Sequence, residues 1–388
     1  MRKLALAAAL LISIGAELHA QSSEADADLA VFNRAVQLQQ AGDLEAAASE
    51  YQRFLVSQPR NIEALSNLGV IHARLGRYDE AITAYRKALE FAPNNASVRM
   101  NLALAFYKSG RCPEAMGEFD MVLGSNPGHP NVLLLKGDCL VQMGEYKRAA
   151  DLLAPLEPTH GQERVFNYVY GIALLQDGRI EAGLKQIDRI LKDGDSAEAH
   201  LMMGISQRLA ADYNAARDEF KRAIDRNPDL PLAHSLYGQM LLTTGDREGA
   251  RRAFERELSA NPGDFDANLY TGVILKEESR IDEARRFFER ALQVRPGDPG
   301  ARYQMATVHL STGDNARALE VLEALVAESP AFIEARVSLA TVYYRLKRKA
   351  DGDREREKVT ELTRAAQAKQ PGPAAAVPST SVPPQDRP

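Results

Sequence analysis

Three asparagines, Asn33, Asn67 and Asn101, return at an interval of 34 residues. An amide side chain offers both a donor and an acceptor. Three in register could grip the main chain of an extended peptide without reading its side chains. The other polar residues point to less chemistry. Cys112 and Cys139 are the only thiols. They are either two free, partly buried thiols or a bridge, which needs Cα atoms within about 7 Å. His200 with His234, and His72 with His309, sit at matching places along the same interval, where a histidine replaces a packed aromatic. Arg251, Arg252, Arg285 and Arg286 precede Glu255 and Glu289 at helical spacing, the pattern of a solvated ion-pair face. The run Asn95-Ala-Ser matches a glycosylation acceptor. No nucleophile–base set, phosphate loop or metal-ligand spacing occurs, so neither enzyme activity nor a cofactor or metal is expected.

The chain has 388 residues and a net charge of -5, too mild and of the wrong sign for nucleic acid as a default partner. Its first twenty residues, "MRKLALAAALLISIGAELHA", carry Arg2 and Lys3, an apolar run and a small residue at Ala20. This is the pattern of a secretory signal peptide. Its removal takes the net charge from -5 to -6. The apolar run is short for a membrane span, and no later stretch is long enough for one. The mature chain is therefore expected to be exported, periplasmic or secreted, without an integral span.

Stepping by 34 from Asp28, units begin at Ile62, Ala96, Pro130, Arg164, Ala197, Pro231, Phe265, Pro299 and Ile333, with one step of 33 at Ala197. The eighth place of each unit holds only Gly or Ala, from Ala35 and Gly69 to Ala306 and Ala340. The twentieth does likewise, from Ala47 to Gly352. Two antiparallel helices can approach closely only where side chains are this small. Gly42, Gly76, Gly110, Gly144, Gly178, Gly245 and Gly313 fall where the first helix should end. Pro59, Pro93, Pro127, Pro228, Pro262, Pro296 and Pro330 fall where the second must stop. A single unit cannot bury its apolar face, so neighbours must stack.

The stretch "SNLGVIHARLGRYDEAITAYRKALEFAPNN" resembles a tetratricopeptide repeat, and the resemblance runs from residue 28 to about 346. It implies an all-α solenoid, a right-handed superhelix of about ten helix-turn-helix units. The expected divisions are a signal peptide at 1–20 and a linker at 21–27. Units one to four span 28–163, unit five 164–196, and units six to nine 197–332. A tenth unit with a polar capping helix spans 333–369, and a Pro-rich tail 370–388. Pro155 and Pro158 interrupt the second helix of unit four, and unit five is short. These units form either a joint or a kink packed over by its neighbours.

By the same resemblance, the first helices line a concave groove. Its expected lining is Phe32, Met100, Leu104, Tyr107, Leu134, Tyr168, Ile172, Leu201, Ile205, Leu269, Tyr303 and Tyr344, with Asn33, Asn67 and Asn101 on the same side. The TPR superhelix of O-linked N-acetylglucosamine transferases is similar in carrying an Asn ladder. Here the place turns to Leu135, Val169 and Met202 from unit four onward, and repeat ancestry alone would also leave asparagines there. A carboxylate clamp needs Lys and Asn at places 5 and 9 of the early units, and those places hold Phe32, Val36, Ser66, Val70, Met100 and Leu104. The expected function is a scaffold whose groove binds a peptide or helix of a partner protein. The alternative is a structural subunit docked into an envelope assembly for secretion, pilus formation or polysaccharide export.

Overall fold

Apolar residues at helical spacing, cut by Gly and Pro every half unit, specify short antiparallel helices, and these are what the computed structural model contains. It describes residues 26–369. The stretches expected to be a signal peptide and a Pro-rich tail lie outside the described residues. By contact density the chain forms two compact units. One runs to Ile274 and takes in Arg290–Pro296; the other comprises Leu275–Glu289 and the chain from Gly297. No described helix is long and apolar enough to cross a membrane.

The first helix, α1, covers 26–41 and already includes Asp26 and Ala27 of the expected linker. Its partner α2 is Leu44–Ser57. First helices then begin at Ile62, Ala96, Pro130, Arg164, Ala197, Phe265, Pro299 and Ile333. Repeat 7 departs: its first helix is Ala233–Thr243 and starts two residues late. Asn, Asp and Ser before the helices accept an amide hydrogen of the first turn, as Asn61 does from Ala64 and Asp246 from Gly249. Asn95 caps in this way, taking the Val98 amide at 3.1 Å.

Every repeat closes its first helix identically. The residue at place 16 donates its amide to the carbonyl at place 11, as in Arg77 to His72 and Arg348 to Tyr343. This bond requires a left-handed residue at place 15. Seven repeats supply Gly there; the other three force Ala211, Ser279 and Lys347 to φ of 61°, 65° and 61°. The geometry belongs to the repeat, and glycine is only its least strained occupant.

Within a repeat, the small residue at place 8 receives an aromatic or aliphatic side chain from the second helix. A Cβ on Gly69 would stand 2.5 Å from the Tyr85 ring, and one on Gly238 would stand 2.6 Å from the Phe254 ring. Tyr51, Tyr85, Phe119, Phe220, Phe254 and Phe288 recur at this place and are fully buried. Their burial, at about 25 cal/mol per Å² of apolar surface, holds each pair of helices together.

In repeat 4 the second helix, Tyr146–Leu153, ends early and passes through a 3-10 turn at Ala154–Leu156 into one helical turn, Glu157–His160. Pro155 and Pro158 cause the break, since neither can donate to the helix ladder. The segment is held: Glu157 accepts from Gln186 at 3.2 Å and from Arg189 at 2.8 Å on the next repeat. At the far end, Lys349–Lys369 forms a long polar helix, and Arg336 joins it by a buried ion pair with Glu355.

Candidate functional site

The inner face of repeats 1 to 3 carries the asparagines. Asn33 is exposed and Asn67 and Asn101 are half-buried. Asn67 is already engaged: its amide donates to the Tyr51 hydroxyl at 3.1 Å, and that hydroxyl donates to Gln39 at 2.9 Å. The chain of bonds fixes the Asn67 side chain at the edge of a cleft of about 410 Å³. Val36, Gln39, Gln40, Tyr51, Glu63, Asn67 and Arg74 line this cleft. Phe32 does not stand free in a groove. It packs edge-on to Tyr51 at 5.7 Å and against Phe54 at 5.1 Å.

Met100 and Leu104 are half-buried on the next first helix. Tyr107 turns away from any ligand and donates to Asp138 at 2.6 Å; Gln142 donates to the same carboxylate oxygen at 2.8 Å. Burial pushes the Asp138 carboxyl above the usual carboxylate range, against the pull of these two bonds. Cys112 and Cys139 lie beside this network. Both are free, fully buried thiols packed in one core cluster. Their mutual hydrogen bond, then burial, pushes the Cys139 thiol far up, so neither a bridge nor a reactive thiolate is present.

From repeat 4 the expected groove is filled. Leu134 is half-buried against the core, Ile172 is buried, and Leu201 and Ile205 have no exposed surface. The Tyr168 hydroxyl donates to the Pro231 carbonyl at 3.2 Å, 63 residues away. Burial among carboxylates raises its phenol well above the ordinary value. The physical reason is closure: the chain's own later repeats cover this face. The Cα of Gly110 meets that of Gly263 so closely that a Cβ on Gly110 would stand 2.6 Å from Gly263. The Arg295 guanidinium lies 4.1 Å over the Phe265 ring and donates to the Gln142 carbonyl at 2.8 Å.

The remaining expected lining is scattered. Leu269 is half-buried. Tyr303 packs at 5.3 Å against Phe332 with the rings tilted, and its hydroxyl lies 3.4 Å from Ser338. Tyr344 packs over Gly352 and donates to Asp353 at 2.8 Å, because the capping helix brings no aromatic of its own.

One polar pattern escaped the sequence reading. Side chains at place 4 reach back six residues to the carbonyl of the inter-repeat turn: Arg99 to Pro93, Asn167 to Gly161, His234 to Pro228, Asn268 to Pro262 and Arg336 to Pro330. His234 is therefore a tie on the turn, 3.0 Å from its acceptor, and not a stand-in for an aromatic. The recurrence of donor-bearing side chains at one place of an apolar face was the available signal. Arginines of the second helices pair within their own helix: Arg251 lies 4.0 Å from Glu248 and Arg285 lies 3.5 Å from Asp282, each one turn earlier.

Profiles described as tetratricopeptide repeat match residues 32–96, 168–231, 201–264 and 238–299, and a second such profile matches 275–328. A profile described as anaphase-promoting complex, cyclosome, subunit 3 matches 74–156. No curated protein matches the chain in sequence. Among solved structures, the crystal structure of the APC/C hetero-tetramer Cut9-Hcn1 is similar with a TM-score of 0.54 at 13% identity, covering 86% of this chain and 73% of that one. The crystal structure of MamA aligns over 42% of this chain and 96% of that one, at 18% identity and a TM-score of 0.37. At such identity the Cut9-Hcn1 likeness concerns the fold alone.

Proposed function

We infer, for a chain that belongs to the tetratricopeptide repeat family, that it binds an extended segment of a partner protein on the inner face of repeats 1 to 3. The chain is a helical repeat scaffold, and such scaffolds work by presenting a surface to other proteins. One observation carries the reading: the amide-bearing cleft around Asn67 stays open, while the inner face of repeats 4 to 7 is filled by its own chain. Asn33, Asn67 and Asn101 would hold the main chain of the segment, with Tyr51 and Gln39 keeping the central amide oriented. Apolar Met100 and Leu104 would take one or two of its side chains.

A peptide-display selection on the intact chain supplies ligands. Each side-chain hydrogen bond is worth about 0.5–1.5 kcal/mol, so replacing all three asparagines by Ala should weaken binding about ten-fold to a thousand-fold or more. The loss should be alike across unrelated selected sequences, because a main-chain grip does not read side chains. Unchanged affinity in a folded triple variant would sink the reading. We further propose that the scaffold acts outside the cytoplasm, on the strength of Arg2, Lys3, the apolar run and Ala20. Mass spectrometry of protein from its native cells should show an N-terminus shortly after Ala20; an intact Met1 start would refute export.

A further inference from the structure

Repeat 7 breaks the family rhythm at one point. In repeats 4 and 9, Pro130 and Pro299 occupy the first helical position, where proline is well suited. Pro231 holds the same place in repeat 7, yet it lies outside the helix, which starts at Ala233. The residue between, Leu232, takes φ of 70°, a left-handed conformation costly for a side chain larger than Gly. Two exchanged hydrogen bonds accompany the break. In a regular start the Ser235 amide would bond to the Pro231 carbonyl. Here the buried Glu257 carboxyl takes the Leu232 amide at 3.2 Å and draws on the neighbouring His234 and Ser235 amides, and the Pro231 carbonyl accepts from Tyr168 instead.

The break sits where the inner face closes. Ile172 and Ile205 are buried there, and Leu232 and Arg295 line the residual space with them; Tyr168 is half-buried. Stacked repeats ordinarily touch only their neighbours. The Arg295 bond to Gln142 and the Gly110–Gly263 contact instead join repeats 3 and 4 to the turns flanking repeat 8. We propose that Pro231–Leu232 is a two-position switch. Unwound, as here, it holds the inner face of repeats 4 to 7 shut over Tyr168. Rewound into the first turn of the repeat 7 helix, it withdraws the Pro231 carbonyl and opens that face. Opening extends the binding surface proposed above, so the inference rests on that reading for its purpose. Its test needs no partner, and the two can fail separately.

Spin labels on Lys108→Cys and Ala260→Cys, both exposed, report the distance across the closure by pulsed electron resonance; native Cys112 and Cys139 are buried and stay unlabelled. The otherwise unaltered chain should show one short-distance population. Arg295→Ala removes the outer latch. Leu232→Ile puts a β-branched side chain where even Leu is strained, and should raise the ratio of long to short distances by about five-fold or more. Leu232→Gly added to Arg295→Ala should restore the short population, because Gly accepts the unwound conformation freely. A long distance in the unaltered chain overturns the proposal. So does an unchanged distribution in Arg295→Ala with native helicity, which decides the matter even if Leu232→Ile does not fold. Failure of Leu232→Gly to restore closure overturns the switch role of this segment.

Discussion

Ala211 offers the sharpest measurement of what the repeat geometry demands. It is exposed, so its methyl group contributes no burial, yet the turn holds it at φ of 61°. A side chain in the left-handed region costs roughly 1–2 kcal/mol. Replacing it by Gly removes that cost and adds about 0.4–1 kcal/mol of unfolded-chain entropy to be lost on folding. Ala211→Gly should therefore stabilise the turn by about 0.5–1 kcal/mol. The mirror experiment is one repeat earlier. Gly178 has φ of 83°, and a Cβ built there meets nothing within 4 Å. Gly178→Ala should then cost about 0.5–1 kcal/mol through backbone conformation alone. Repeat arrays need not unfold in two states, so the assay should be local. The Asp212 amide, bonded to Gln207 at 3.0 Å, and the Arg179 amide, bonded to Leu174 at 2.9 Å, report the two turns by native-state hydrogen exchange. Protection should rise about two- to five-fold at the first and fall about as much at the second. If Ala211→Gly loosens its turn, or Gly178→Ala tightens its own, the claim that the repeat imposes this conformation is wrong.

Phe254 is fully buried, seated on Gly238 and stacked on Tyr270 at 5.7 Å; Phe254→Ala should cost about 3–5 kcal/mol, read from urea unfolding, with Phe254→Leu costing distinctly less. Burial, and then the neighbouring Asp264, raise the Glu257 carboxyl above the ordinary glutamate value, while the amides of Leu232, Ser235 and His234 oppose them without prevailing. Asp264 is itself raised by burial and by Asp266, with Arg295 pulling the other way. The native state thus holds protons more tightly than the unfolded chain. Stability from this site is full below the ordinary glutamate range and is lost as pH rises through the raised native value. Glu257→Gln should flatten that part of the melting temperature against pH; an unchanged profile would refute the assignment. Cys112 and Cys139 have no exposed surface, so a thiol reagent should leave the native chain untouched and label two thiols after denaturation.

The repeat itself was legible in the sequence because its determinants are local. Small residues at places 8 and 20, Gly at place 15 and Pro at the end of the unit each act within one turn or one helix pair. That is why Gly69 meets Tyr85 and Gly238 meets Phe254 as their spacing implies. The recurrence of Asn67 with Asn33 and Asn101 was equally legible; that Tyr51 and Gln39 already hold its amide was not. Even Ala211, Ser279 and Lys347, which no glycine rule would mark, follow from periodicity once the turn is seen to be the same in all ten repeats. What the tertiary structure alone decided is which part of the inner face remains available. The bonds from Tyr168 to Pro231 and from Arg295 to Gln142 join residues 63 and 153 positions apart. No period of 34 specifies such contacts. They arise because the small rotation between successive repeats accumulates until distant turns meet, and an apolar stripe that reads as a groove in the sequence becomes an interior.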